Sequence, residues 1–140
     1  MKKFEFLAHT ADAKFRAFGH TLEEAFCNAA LATASLMWNW EQVERRIKRK
    51  VKVEGMDLKQ LLCGFLEEII YLLDSEMFLL GSVDKVKIEK KGNQYNLEAF
   101  FKGDKYSDKY KIFGDVKAIT YNEMEINENQ PVTLQVVVDV

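Results

Sequence analysis

The residues best suited to chemistry stand at the two ends of the chain. Asp12 lies in His9-Thr10-Ala11-Asp12, and Asp139-Val140 are the last two residues of the sequence. Asp12 and Asp139 offer side-chain carboxylates, and a chain that stops at Val140 adds its α-carboxylate. Three such oxygens, if they converge, suit a hard divalent cation, Ca²⁺ or Mg²⁺. Without a cation, clustering them costs free energy through like-charge repulsion. Spacing alone favours a plainer reading, in which Asp12 caps a turn and Asp139 is solvated. Lys117 is the next candidate, because a lysine between small apolar residues on a strand can hold an acidic partner or a phosphate. Pattern alone again favours a lysine on the sheet surface. His9 reads as a neutral anchor for the loop before Asp12 rather than as a ligand, since these cations prefer oxygen.

The elements that must position these residues follow from periodicity. Asp12 falls in a tight loop between strands expected over residues 4–8 and 13–18. Thr21 with Glu24 three residues on forms a capping box, and Leu22, Ala25, Phe26, Ala29, Ala30, Thr33, Leu36 and Met37 then keep a helical period. That helix is expected to fade near Trp38-Asn39-Trp40, where the two tryptophans read as covering its end; exposed together they would mark a partner surface. Asp57 caps a second helix, with Gln60 at the reciprocal position and an apolar stripe from Leu58 to Leu73. Residues 83–91 and 95–102 read as a hairpin around Gly92-Asn93. Residues 116–126 and 132–140 read as a second pair, and 43–54 as a charged alternating strand. No repeat is evident. The sum is an α+β chain, a single domain over residues 1–140, with two long helices packed against mainly antiparallel β-sheet.

Composition narrows the function classes. With 48% apolar and 30% charged residues the chain has enough of both for a folded core. A net charge of −2 gives no global attraction to nucleic acid or to a membrane surface. Arg45-Arg46-Ile47-Lys48-Arg49-Lys50 carries five cations, but little aromatic surface to stack bases. A solvated edge strand is the simpler account. Cys27 and Cys63, both on apolar helical faces, read as free buried thiols. The opening Met1-Lys2-Lys3-Phe4-Glu5 meets a charge too soon for a signal peptide, and no apolar run reaches a membrane span, so the expected compartment is the cytoplasm. No Ser-His-Asp, CxxC, HExxH or glycine-rich phosphate loop appears.

Several segments, in order, resemble the archease family. They are His9-Thr10-Ala11-Asp12, Ala17-Phe18-Gly19, Thr21-Leu22-Glu23-Glu24-Ala25-Phe26, Leu61-Leu62 with Phe65-Leu66-Glu67-Glu68, Lys117-Ala118-Ile119-Thr120-Tyr121 and Val138-Asp139-Val140. The resemblance implies a small archease-like protein that is not itself an enzyme. It implies an activator of the RtcB-type tRNA-splicing RNA ligase, which joins RNA 2′,3′-cyclic phosphate or 3′-phosphate ends to 5′-hydroxyl ends, using GTP and divalent metal. Such a helper promotes guanylylation of the ligase and its turnover. Asp12, Asp139 and Val140 carry over as the metal site, with Ca²⁺ favoured over Mg²⁺, and Lys117 as the residue needed for activation. The partner implied is the ligase, with RNA and GTP met only through it, no membrane, and a monomer favoured. A chaperone-like role toward RNA-modifying enzymes has also been suggested for the family. The pattern departs at Asn122, where the family often has His, and at Ala13-Lys14, where it often has a small apolar residue and Gly. Two other readings stay open: a stand-alone metal-dependent phosphohydrolase, and a non-catalytic RNA-binding or chaperone module.

Overall fold

A computed structural model describes residues 1–140. The elements run β1 (Phe4–Leu7), β2 (Ala13–Gly19), α1 (Leu22–Ser35), a short 3-10 turn (Trp40–Gln42), β3 (Ile47–Gly55), α2 (Leu58–Glu76), β4 (Phe78–Lys91), β5 (Gln94–Lys105), β6 (Ala118–Asn127) and β7 (Val132–Asp139). They form two sheets of order β1-β2-β7-β6 and β3-β5-β4, with every pairing antiparallel. The expected α+β architecture, two helices on antiparallel sheet in one domain, is what the chain adopts.

Both helices begin with the same device. The Thr21 hydroxyl accepts the Glu24 amide at 3.1 Å, and the Asp57 carboxylate accepts the Gln60 amide at 2.8 Å. The return bonds lie one residue upstream of those a capping box predicts: the His20 amide donates to Glu24 and the Met56 amide to Gln60. Each strand before a cap ends in a glycine packed on the first helical turn. A Cβ on Gly19 would come within 2.4 Å of the Ala25 nitrogen, and one on Gly55 within 2.7 Å of the Leu61 nitrogen. The chain therefore does contain a repeated strand-glycine-cap-helix unit. Only two glycines and two caps carry it, which is too little for sequence comparison alone.

α1 packs against β2 and β4, and α2 against β3 and β6, so each helix touches both sheets. This explains why Leu31, Ala32, Ala34 and Asn28 are buried as well as the expected stripe on α1. Phe26, Phe65 and Phe101 stack in series, with centroids 5.8 and 5.5 Å apart, and tie α1, α2 and β5 into one core. Burying three such rings contributes several kcal/mol.

α1 stops at Ser35, short of the tryptophans. Trp38 is 1% exposed and donates Nε1–H to the Leu80 carbonyl at 2.9 Å, and Trp40 is half-buried. The pair is therefore packing and not a partner surface. The β4–β5 turn falls at Gly92-Asn93 as expected, with φ +62° at Gly92, the first central residue, as a type II′ turn requires. No helix is long and apolar enough to cross a membrane.

Candidate functional site

Strand register brings the two ends of the sequence together. β2 pairs with β7 as far as Ala13 opposite Val138, and Asp12 and Asp139 are the residues that follow that last pair. β6 pairs with the other side of β7 so that Ala118 faces Asp139, and the next step sets Lys117 beside Val140. The Lys117 amide donates to the Asp139 carbonyl at 2.7 Å, which fixes that corner. The backbones of all four residues that the sequence singles out for cation binding or activation thus reach one end of the first sheet, with Asp12 and Asp139 on one face and Lys117 and Val140 on the other by strand alternation.

Asp12 is delivered by a strained turn. Its amide donates to the Thr10 carbonyl at 2.9 Å across Ala11, whose φ is +69°. That is the less common γ-turn, with a positive torsion on a residue that carries a Cβ. It costs about 1–3 kcal/mol unless the surroundings hold it. Lys117 is delivered by residues 106–117, which cross the end of α1. The Phe113 amide donates to the Met37 carbonyl at 2.9 Å, and Gly114 lies so close to Leu36 that a Cβ would meet its carbonyl oxygen at 2.2 Å.

The charges at the tip are available. Asp139, Val140 and Lys117 are exposed and Asp12 is half-buried. None of them joins any of the chain's ion pairs. No group of three or more His, Cys, Asp or Glu side chains is placed to hold an ion by itself. The side chains offer a two-carboxylate site, and any third oxygen has to come from the main chain, the chain end, water or a partner. That donor set fits a hard cation that keeps part of its water shell.

His9 ties the loop before Asp12 to β6. Its Nε2 donates to Glu123 at 2.9 Å, and Lys14 Nζ donates to the other Glu123 oxygen at 3.1 Å. These bonds, His9 first, hold the Glu123 carboxyl below the usual carboxylate range. The His9 Nδ1 is buried without a partner. Glu123 sits on a bulge of β6, between the Thr120 and Glu125 pairings, with φ +55°. Gln135, 4% exposed, donates to the Glu123 carbonyl at 2.8 Å and accepts from Arg16 Nε at 3.0 Å. Sequence reasoning missed Glu123. The signal was there: buried Ile119 is followed by buried Met124, so the inward phase of β6 switches from odd to even, as the three extra residues on β6 between the Thr120–Val137 and Glu125–Gln135 pairings demand.

Three of the five cations of the basic run are paired within the fold. Arg49 pairs with Glu76 at 2.8 Å, Lys50 with Glu98 at 3.1 Å and Arg46 with Glu44 at 3.7 Å, while Arg45 bonds the Val43 and Gly81 carbonyls. Lys48 lies over the Phe100 ring at 4.2 Å. The cysteines are free, Cys63 buried and Cys27 only partly so. Burial, with Asp84 and Glu24 nearby, pushes the Cys27 thiol up to about 11, and burial raises Cys63 too. Neither is poised to react or bind metal at neutral pH.

Comparison with known proteins now bears on this tip. The model of the Archease protein family (MTH1598/TM1083) matches residues 4–140. The protein archease of Pyrococcus furiosus is 42% identical, covering 90% of this chain and 89% of that protein. The protein archease of Methanosarcina mazei is 36% identical, covering 99% of this chain and 97% of its own length. The solution structure of Methanobacterium thermoautotrophicum protein 1598 superposes over 100% of both chains, with a TM-score of 0.85 and 36% identity.

Proposed function

The chain belongs to the archease family, and on that premise we propose that it is an accessory protein that activates an RtcB-type RNA ligase in tRNA splicing or RNA repair. One observation carries the reading: Asp12, Asp139 and Lys117 meet at one tip, with charges that nothing inside the chain engages. In this reading Asp12, Asp139 and the Val140 carboxylate hold a divalent cation, Ca²⁺ or Mg²⁺. A cation so placed neutralises charge on nucleotide phosphates. The chain's own contribution is to present it. The strained Asp12 turn and the end of β7 project the carboxylates outward, and Lys117 stands beside them to meet an acidic group of the ligase or its nucleotide. The protein acts in the cytoplasm as a monomer, with RNA and GTP held by the ligase.

A stand-alone phosphohydrolase needs a base beside the carboxylates. His9, the histidine closest in sequence to Asp12, has Nε2 engaged by Glu123 and Nδ1 buried. An RNA-binding face built on residues 45–50 is weakened by the internal partners of those cations.

The test adds catalytic amounts of this protein to an RtcB-type ligase with GTP and broken RNA. Guanylylation and multiple turnovers are expected with the wild type and not with Asp12→Ala or Asp139→Ala. Equal stimulation by all three proteins sinks the proposal.

A further inference from the structure

Lys14 poses a problem for the tip. Side chains alternate along a strand, so Asp12 and Lys14 share one face of β2, and Asp139 and Val137 share that face of β7. Lys14 stands opposite Val137, one same-face step from the acidic pair. A lysine ammonium on its four-carbon stem easily spans such a step. Left free, it shares a face with Asp12 and Asp139 and competes with any cation there, as Lys117, on the opposite face by strand alternation, does not.

The structure shows it held elsewhere. Lys14 Nζ bonds Glu123 at 3.1 Å, 109 residues away in sequence, and the Lys14 side chain is 17% exposed. Glu123 reaches that position only because β6 bulges and its φ turns positive, a conformation that a residue other than glycine adopts at a cost. Three contacts stabilise it there: His9 and Lys14 on the carboxylate, and Gln135 on the carbonyl. Gln135 is itself oriented by Arg16. A strained bulge fixed from both sides, whose outcome is to hold one lysine and one histidine, is the mark of a positioning device. Its position beside the Asp12 loop says what it positions.

We propose that Glu123 is a positioning residue that keeps the Lys14 ammonium off the Asp12–Asp139 pair, so that the pair stays open to a divalent cation. The inference rests on the cation reading of the tip and adds to it the device that keeps the site vacant. It also gives a role to Lys14, one of the two places where the chain departs from the archease pattern: the added charge comes with its own counter-charge.

The experiment titrates Ca²⁺, with Mg²⁺ in a parallel arm, into the wild type, Glu123→Gln, and the double variant Lys14→Met with Glu123→Gln. Heat of binding is the readout. Glu123→Gln should bind roughly fivefold to tenfold more weakly, the scale of one unit charge a few ångströms away when water screens it fully. The double variant should recover to within about twofold of the wild type, because the competitor is gone. Recovery separates the proposal from a loss of loop structure, which Lys14→Met could not repair. Wild-type affinity in Glu123→Gln, or no recovery in the double variant, overturns it. A metal-free NMR measurement supplies the second readout. Contacts between the Lys14 ammonium and the Asp12 or Asp139 carboxyl should appear in Glu123→Gln and be missing in the wild type. Should the wild type bind neither ion, the cation reading falls, and the NMR contact alone decides the role of Glu123: its appearance upholds the restraint, its failure to appear overturns it.

Discussion

Two acidic sites in this molecule are treated in opposite ways. Asp104, at the end of β5, is 8% exposed and fully partnered: Tyr110 donates its hydroxyl at 2.7 Å, the Lys105 amide donates at 2.9 Å, and Lys109 lies at 3.8 Å. The Tyr110 hydroxyl in turn accepts the Glu44 amide at 3.1 Å. Asp12 and Asp139 follow the last β2–β7 pair at one end of the sheet, and neither joins an ion pair with any cation of the chain. The first carboxylate holds the fold together. The second pair sets like charges together, which costs stability and makes sense where something from outside is to be met. Burial and partnering, rather than residue type, separate the structural aspartate from the two proposed to bind a cation.

The sharpest way to break that comparison is to neutralise each site in turn. Asp12→Asn or Asp139→Asn should lose ligase stimulation and the Ca²⁺-dependent rise in melting temperature, and should leave the metal-free melting temperature unchanged or slightly higher. Appending a single glycine after Val140 converts its carboxylate to a peptide group, and ligase turnover should fall steeply while the fold persists; full activity in the extended protein removes Val140 from the site. Asp104→Ala should do the reverse. It leaves the Tyr110 hydroxyl without its acceptor, so urea denaturation should show a loss of about 2 kcal/mol, with Ca²⁺ affinity unchanged. A loss of Ca²⁺ affinity there would falsify the separation of the two roles.

A smaller effect comes from pH. The Tyr110 hydrogen bond holds the Asp104 carboxyl below the usual carboxylate range. A carboxyl whose value in the fold lies below its unfolded value stabilises the fold above that unfolded value, about 3.9 for aspartate. The contribution is lost as pH falls through the lower folded value. Stability should therefore decline as pH falls below about 5, and Asp104→Asn should flatten part of that slope in thermal melts. Smallest of all, Trp38→Phe removes the hydrogen bond to Leu80 and should cost about 1 kcal/mol. It lies outside the tip and should spare Ca²⁺ binding.

What could be read ahead of the structure divides along the same physical line. The helix caps, the apolar stripes and the Gly92-Asn93 turn are local, set by residues within a few positions, and the sequence shows them. The tip was visible as residue types and as an ordered resemblance, but its assembly depends on β7 lying between β2 and β6, a pairing across more than a hundred residues that spacing does not encode. The Glu123–Lys14 bond is hidden for the same reason, although the phase switch from Ile119 to Met124 marks its bulge. The tryptophans left two readings open because aromatic residues after a helix look alike whether they cover the core or face water. Only the Leu80 carbonyl beneath Trp38 decides it.

The two sheets also differ in when they can form. All three strands of β3-β5-β4 lie within residues 47–105, around one helix and one tight turn. The other sheet joins residues 4–19 to residues 118–139, so its central pairing waits on closure of nearly the whole chain. Long closures are entropically costly and slow, and pairings that need them form late. Pulse-labelled hydrogen exchange should protect β4 and β5 before β2 and β7, and the reverse order would contradict this sequence of events. Because Asp12 and Asp139 meet only when that last seam closes, no partly folded molecule presents both carboxylates, and a partner that responds to the pair is engaged by finished copies alone.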